Sequence, residues 1–479
     1  MRYQIPVRAF QNLAMIFLAC FMLIAIGAGY WGVVRASELQ ARDLRRQIER
    51  ELKLDRGRIL ATDNSVMAET VFDDEGLAQR VYPYPNLAPV LGYWTFRYGK
   101  GGLEAAYDDY LAGRRGQRGL DVFDELMHEP VIGADIVTTI RPALQVRADE
   151  LLDELGGRGA IIVMEANTGR ILALASRPTY DPNLYAEQAE ALVVDEAQPT
   201  LNRATQGLYT PGSVFKILTL AGALNADLAP PEAAYPQQPY DAPGIFFVEG
   251  FPIREGSDRP YNNYPFDLYH ALSYSSNVTF AQLALALGPD GMREMARTFG
   301  FGEEIPFDGL PTAASELGSD AFLLDRVGLA NTGYGQGQLL VSPLEIALVT
   351  AAVANGGIMP QPQIVQQIRS RTGDTLADFP PRGWKRPMSE GVAAEVRQAM
   401  IVSGSEGFAR AGAPEGIAVG GKTGTAQLGG DNEPHSWYTA FAPAEGPQIV
   451  VTVIVENAGA GGDVAAPIAR ELIRTALAP

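Results

Sequence analysis

The chain has 479 residues, of which 47% are hydrophobic and 20% charged. That composition belongs to a folded protein with room for two or three domains and a large core, and it excludes a disordered or fibrous chain. The net charge of −18 argues against nucleic acid as a partner. The lone Cys20 leaves no intramolecular disulfide, and three histidines without a Cys/His cluster argue against a metal site.

Leu13 to Val34 carries no charge. A helix of that length spans roughly 33 Å, against about 30 Å of hydrocarbon in a bilayer. Tyr30 and Trp31 suit the membrane interface. Gly27-Ala-Gly29 is a poor signal-cleavage site, and the apolar run is long for a signal peptide, so an uncleaved anchor is expected. Cys20 sits mid-span and reads as a small membrane-facing residue. Arg35, Arg42, Arg45 and Arg46 outnumber Arg2 and Arg8, which alone would put the C-terminal side in the cytoplasm. Long domains translocate largely regardless of such a count. The expected division is a cytoplasmic tail over 1–12, an anchor over 13–34, a membrane-proximal support or docking domain over 35–135, and a catalytic domain over 136–479.

Leu44, Ile48 and Leu52 recur every four residues, which predicts a juxtamembrane helix over 36–54. Arg56–Leu60 and Val66–Val71 flank Asp63-Asn64-Ser65 and predict a hairpin. Gly102–Ala112 reads as helical. Asp135–Ile140 is β-rich, and Pro142–Leu155 reads as a helix ended by Gly156-Gly157. Arg158–Met164 and Arg170–Ala175 predict two strands around the turn Asn167-Thr-Gly169. Both are apolar enough for a sheet centre, and the strands then give way to helices, the start of an α/β sandwich pattern. Residues 222–268 show little periodicity and predict an irregular excursion beside a cleft. The glycine-rich Asn331–Gly337 lacks the lysine of a phosphate loop and reads as a tight turn before a buried helix at 343–353. Strands are expected at 417–427, 436–442 and 448–455, and a closing helix at 465–477.

The chemistry gathers around Tyr209-Thr-Pro-Gly-Ser-Val-Phe-Lys216. Pro211-Gly212 breaks the chain, so a helix can open near Ser213. Positions i and i+3 share a helix face, which brings the Ser213 hydroxyl near the Lys216 amine. A serine hydroxyl needs a base beside it to act as a nucleophile, and apolar Val214, Phe215 and Ile217 surround this one. One such Ser-x-x-Lys is a weak signal. Ser275-Ser-Asn277 and Lys422-Thr-Gly-Thr425 follow it in order and complete a set of three elements. Asn277 can donate to and accept from a peptide amide. In isolation, the second element reads equally as a helix cap. Lys422 brings positive charge, Thr423 and Thr425 bring hydroxyls for a carboxylate, and Gly424 leaves room for a substrate backbone.

With these motifs the chain resembles the class B penicillin-binding proteins, peptidoglycan D,D-transpeptidases, and most of all their penicillin-binding protein A subgroup. The resemblance also rests on Arg56-Gly57, Gly102-Leu-Glu104, Thr168-Gly169, Tyr180-Asp-Pro-Asn183, Asn202-Arg-Ala204, Gly333-Tyr-Gly-Gln-Gly337 and His435-Ser-Trp437. It implies an α+β sandwich of the serine β-lactamase and transpeptidase type, with an N-terminal transmembrane helix and a smaller mixed, β-containing membrane-proximal domain. It implies Ser213 as nucleophile, Lys216 as base, Ser275 as proton relay tuned by Lys422, and an oxyanion hole from the backbone N–H groups of Ser213 and Thr425. Thr423 and Thr425 would hold the donor's terminal carboxylate and Asn277 its amide. No cofactor or metal is implied. The implied partners are stem peptides of glycan made from lipid-linked precursor, β-lactam antibiotics, and a multi-spanning membrane glycan polymerase (SEDS type). The resemblance places the catalytic domain of a single-pass bacterial membrane protein on the extracytoplasmic side. Ser405-Glu406-Gly407 and the middle Ser276 depart from frequent family choices. The alternatives are a β-lactamase and a non-catalytic scaffold or sensor. The anchor and the residues ahead of the core weigh against the first, the intact motif set against the second.

Overall fold

The apolar strands of the catalytic half pair into one antiparallel sheet in the computed structural model, which describes residues 7–35, 51–115, 132–256, 265–430 and 432–478. The strand order is Gly420–Ala426, His435–Ala442, Ile449–Val455, Gly159–Glu165, Ile171–Arg177. Both faces are covered, which is why the central strands read as continuous apolar runs rather than as alternating ones. Ile161 and Val163 point into one core with Leu144, Ala148 and Leu152 of the helix Pro142–Leu155 and Ile468 and Leu472 of the helix Ala465–Ala476. Ile162 and Met164 point the other way, toward Ile217, Leu218 and the helix Pro343–Ala354. That last helix is buried at every residue.

The membrane-proximal sheet is assembled differently. Its order is Thr375–Asp378, Val365–Arg369, Asp135–Thr138, Ile59–Leu60, Val66–Phe72, Ala78–Val81. The hairpin expected near 56–71 forms, although its first strand is only Ile59–Leu60. The expected boundary at 135/136 falls inside the strand Asp135–Thr138, and two strands from 365–378 return to complete this sheet. The helical run expected over 102–112 is two short helices, Gly102–Ala106 and Asp108–Leu111, parted at Tyr107. Gly57 packs against the start of the next segment: a Cβ there would lie 1.8 Å from the Ala134 carbonyl oxygen.

Val7–Gly29 is α-helical, and Tyr30–Val34 continues it as a π-helical turn. Phe17, Leu23 and Ile24 are exposed on it, as lipid contact requires. Among the described residues, this helix alone is long and apolar enough to cross a membrane. The juxtamembrane helix expected over 36–54 lies mostly outside the described residues.

Candidate active site

The helix expected to open at Ser213 starts as a 3₁₀ turn, Gly212–Phe215, and becomes α-helical at Lys216, running to Asn225. Side chains at i and i+3 eclipse in a 3₁₀ turn, so Ser213 and Lys216 leave it on one side. Ser213 is half-buried and Lys216 fully buried. Gly212 has φ +56°, and a Cβ on it would meet the Thr425 carbonyl oxygen at 2.7 Å. Glycine is therefore what lets the Ser213 turn touch the Lys-Thr-Gly strand.

Lys216 reaches the second motif. Its Nζ donates to the Ser275 carbonyl oxygen at 2.7 Å, to Ser275 Oγ at 3.0 Å and to Asn277 Oδ1 at 2.8 Å. Ser275 has φ +56°, the left-handed region, which for a serine needs support from its surroundings. This backbone turn puts its carbonyl and its hydroxyl on the same amine. Helices flank the motif as expected, at Leu268–Ser273 and Asn277–Phe299. Ser276 caps the second, its Oγ accepting from the Thr279 N–H at 3.1 Å. The cap falls on Ser276, between the two residues that meet Lys216.

The third motif lies on Gly420–Ala426, the edge strand of the sheet. Lys422 is fully buried and its Nζ donates to the Thr423 carbonyl oxygen at 3.0 Å. Thr423 is buried, while Thr425 is exposed and its Oγ1 accepts from the Gly461 N–H at 3.3 Å. Gly424 was expected to leave room for a substrate backbone; the room is taken by the protein itself. A Cβ there would come within 2.9 Å of the Pro211 carbonyl oxygen and 3.0 Å of Val214. The strand and the serine turn approach too closely for any side chain.

Several residues that sequence reasoning gave no chemical role brace this arrangement. The Gly335 carbonyl meets the serine turn directly: the Gly212 N–H donates to its oxygen at 2.9 Å. A Cβ on Gly335 would overlap the Gly212 oxygen. With its amide turned to satisfy both atoms, Gln336 donates to the Gln427 oxygen at 3.2 Å and accepts from its N–H at 3.3 Å, extending the edge strand with a side chain. The glycine-rich run is the end of the helix Arg326–Gly333 plus this brace. Trp437 Nε1 donates to the Thr210 oxygen at 3.1 Å. Tyr209 donates its hydroxyl to Glu456 at 2.8 Å, and Arg203 pairs with the same oxygen at 2.9 Å. Burial, then the Glu456 carboxylate, push the Tyr209 phenol well up. Burial pulls the His435 imidazole down, against Glu456. The excursion over 222–268 is not irregular throughout. It holds a hairpin, Ile245–Val248 with Phe251–Arg254, and the following Glu255 bonds the second motif. Neither Glu255 nor Glu456 has a local pattern to mark it, because each partner is supplied by a distant segment.

Comparison with known proteins matches two family models: the penicillin binding protein transpeptidase domain over residues 159–474, and the penicillin binding protein A dimerisation domain over 56–134. The chain belongs to the penicillin-binding protein transpeptidase family. It is 34% identical to the peptidoglycan D,D-transpeptidase PbpA of Mycolicibacterium smegmatis, over 98% of each chain, and equally to PbpA of Mycobacterium tuberculosis. The solved ceftriaxone acyl-enzyme complex of penicillin-binding protein A from M. tuberculosis superposes with a TM-score of 0.80 at 33% identity. That match covers 89% of this chain and 99% of the other. This member of the family is of the penicillin-binding protein A kind, anchored in the membrane by the apolar helix, the one candidate span among the described residues.

Proposed function

We propose that the protein is a membrane-anchored peptidoglycan D,D-transpeptidase that works through an acyl-enzyme on Ser213. The observation that carries this reading is Lys216: fully buried, one 3₁₀ turn from Ser213, with three oxygen acceptors from the second motif. An amine that takes the Ser213 proton becomes an ammonium with three N–H groups, and these three oxygens are placed to accept them. Ser213 Oγ attacks the carbonyl of the D-Ala–D-Ala bond in a donor stem and gives its proton to Lys216. The backbone N–H groups of Ser213 and Thr425 face the oxyanion. Ser275, tuned by Lys422, passes a proton to the departing D-alanine. Thr423 and Thr425 hold the donor's terminal carboxylate. Asn277, whose Oδ1 accepts from Lys216 and whose Nδ2 donates to the Arg254 oxygen, both at 2.8 Å, holds the donor's amide. An amine of a second stem then attacks the ester, forming the cross-link and freeing Ser213. β-Lactams acylate the same oxygen.

The catalytic part lies on the extracytoplasmic side, where stem peptides are, with residues 1–12 as the cytoplasmic tail, 13–34 as the anchor, 35–135 as the pedestal and 136–479 as the transpeptidase. Glycan polymerisation falls to a multi-spanning membrane polymerase of the SEDS type, met by the anchor and the pedestal.

The test is acylation of the full chain in detergent by a fluorescent penicillin, followed over hours, with a Ser213→Ala control. Stable label on the wild type alone is expected. Label that forms and vanishes within seconds indicates a β-lactamase, and no label on folded protein overturns the catalytic reading.

A further inference from the structure

The excursion between the serine helix and the second motif ends its hairpin at Arg254-Glu255, and both residues grip that motif. The Arg254 carbonyl oxygen accepts from Asn277 Nδ2 at 2.8 Å. This contact turns the Asn277 amide so that its Oδ1 faces Lys216. Glu255 accepts the Ser276 hydroxyl at 2.5 Å with one carboxylate oxygen and the Asn277 N–H at 2.7 Å with the other. The helix that opens at Asn277 already has its side-chain cap in Ser276 Oγ on the Thr279 N–H. Glu255 is therefore not needed as a cap. It satisfies a different N–H, at the positive end of the helix dipole, where a carboxylate is favoured.

Glu255 is itself held from three directions. Its N–H donates to the Gly244 oxygen at 2.9 Å, and Tyr240 donates its hydroxyl to the carboxylate at 3.2 Å. Phe246, Val248 and Ile253 of the hairpin pack with Val278 and Ala281 of the helix and with Ala330. On the other side of the motif, the Ser275 and Ser276 N–H groups donate back to Leu272 and Ala271. Ser275, with its left-handed backbone, is thus clamped between the preceding helix and Glu255. A residue in that region stays there only while its surroundings over-determine it.

We propose that Glu255 is a positioning residue for acyl transfer: by holding Ser276 and the first N–H of the following helix, it keeps the Ser275 and Asn277 oxygens on Lys216. This rests on the reading of Lys216 as the base. Glu255 touches no reacting atom, so its removal affects the acylation step and leaves prior non-covalent binding nearly unchanged.

The experiment measures acylation of the full chain in detergent by a fluorescent penicillin at several concentrations, which separates the acylation rate constant from the binding constant. Glu255→Ala is expected to lower the rate constant by roughly 10–100-fold, the scale of a misplaced catalytic group, with the binding constant changed little. Glu255→Gln, which keeps the shape but has one acceptor oxygen where two are used, is expected to fall between and guards against misfolding of the alanine variant. Because Glu255 acts partly through Ser276, Glu255→Gln and Ser276→Ala should be less than additive on the rate constant. Wild-type acylation by both folded Glu255 variants overturns the inference. So does a loss confined to the binding constant, or strict additivity with Ser276→Ala. Failure of the wild type itself to acylate overturns the catalytic reading instead.

Discussion

The pedestal and the catalytic core each bury a glutamate completely, and they treat it in opposite ways. In the pedestal, Glu104 lies between two buried arginines: Arg56 at 2.9 Å on one oxygen and Arg80 at 2.6 Å on the other. Arg56 continues to Asp108 at 2.7 Å. In the core, Glu345 stands at the first turn of the wholly buried helix Pro343–Ala354, and neither carboxyl oxygen has a hydrogen-bond partner among the described residues. Desolvation pushes its carboxyl up to about 8. The pedestal surrounds its buried carboxylate with two guanidinium groups; the core leaves its carboxyl without a partner among the described residues, and burial favours the protonated form there. Buried ion pairs occur in both regions, Arg177 with Asp149 and Arg203 with Glu456 in the core included, so the difference lies in the surroundings of each glutamate and not in a lack of buried charge.

That contrast can be broken most severely at Glu104. Glu104→Ala leaves Arg56 and Arg80 buried without their shared anion, a loss of about 3–5 kcal/mol. Urea unfolding should show it, with Trp94 as a local reporter, since the Arg56 guanidinium lies 5.8 Å from its ring. Folded molecules of this variant should still take penicillin label, because the network touches none of the three motifs.

Glu345→Gln is expected to act with the opposite sign. The folded-state value, about 8, lies above that of an unfolded glutamate, so the wild type holds its full stability below roughly pH 4.5 and loses it as pH rises toward 8. The limiting slope is about 1.4 kcal/mol per pH unit. The variant removes this loss, so it should be more stable than the wild type by on the order of 3 kcal/mol at pH 7, with the gain vanishing near pH 4.5. Thermal unfolding of both proteins across that range checks it; a gain independent of pH would show that Glu345 is not the titrating group.

The smallest effect is expected at Arg97 and Glu190, a pair 3.4 Å apart with both side chains more than 70% exposed. Solvent screens such a pair, so Arg97→Ala should leave the unfolding midpoint where it is. A measurable shift would mean that surface charge contributes more to the pedestal than its buried network implies.

Legibility followed the distance between partners in the chain. The helix Pro142–Leu155 appears with the bounds its Pro and Gly signals predicted, because both signals are local. The three motifs were readable because spacing within each is short, and tertiary packing brings the first two together at Lys216. The strand pair from 365–378 in the pedestal sheet had no such marker: its pairing partner lies more than two hundred residues earlier. Gly424 shows the limit of reading a residue for its size alone, since the space it makes is filled by Pro211 and Val214.

By itself the sequence determined the apolar anchor, the two-faced sheet strands and the order of the three motifs, because periodicity, turn chemistry and short spacing act between near neighbours. Only the tertiary structure decided what holds those motifs in place. Glu255 on the second motif, Gly335 and Gln336 on the serine turn and edge strand, and Glu456 on Tyr209 each act across a gap in the chain. Hydrogen bonds and close packing depend on position in space, and no local pattern carries that information.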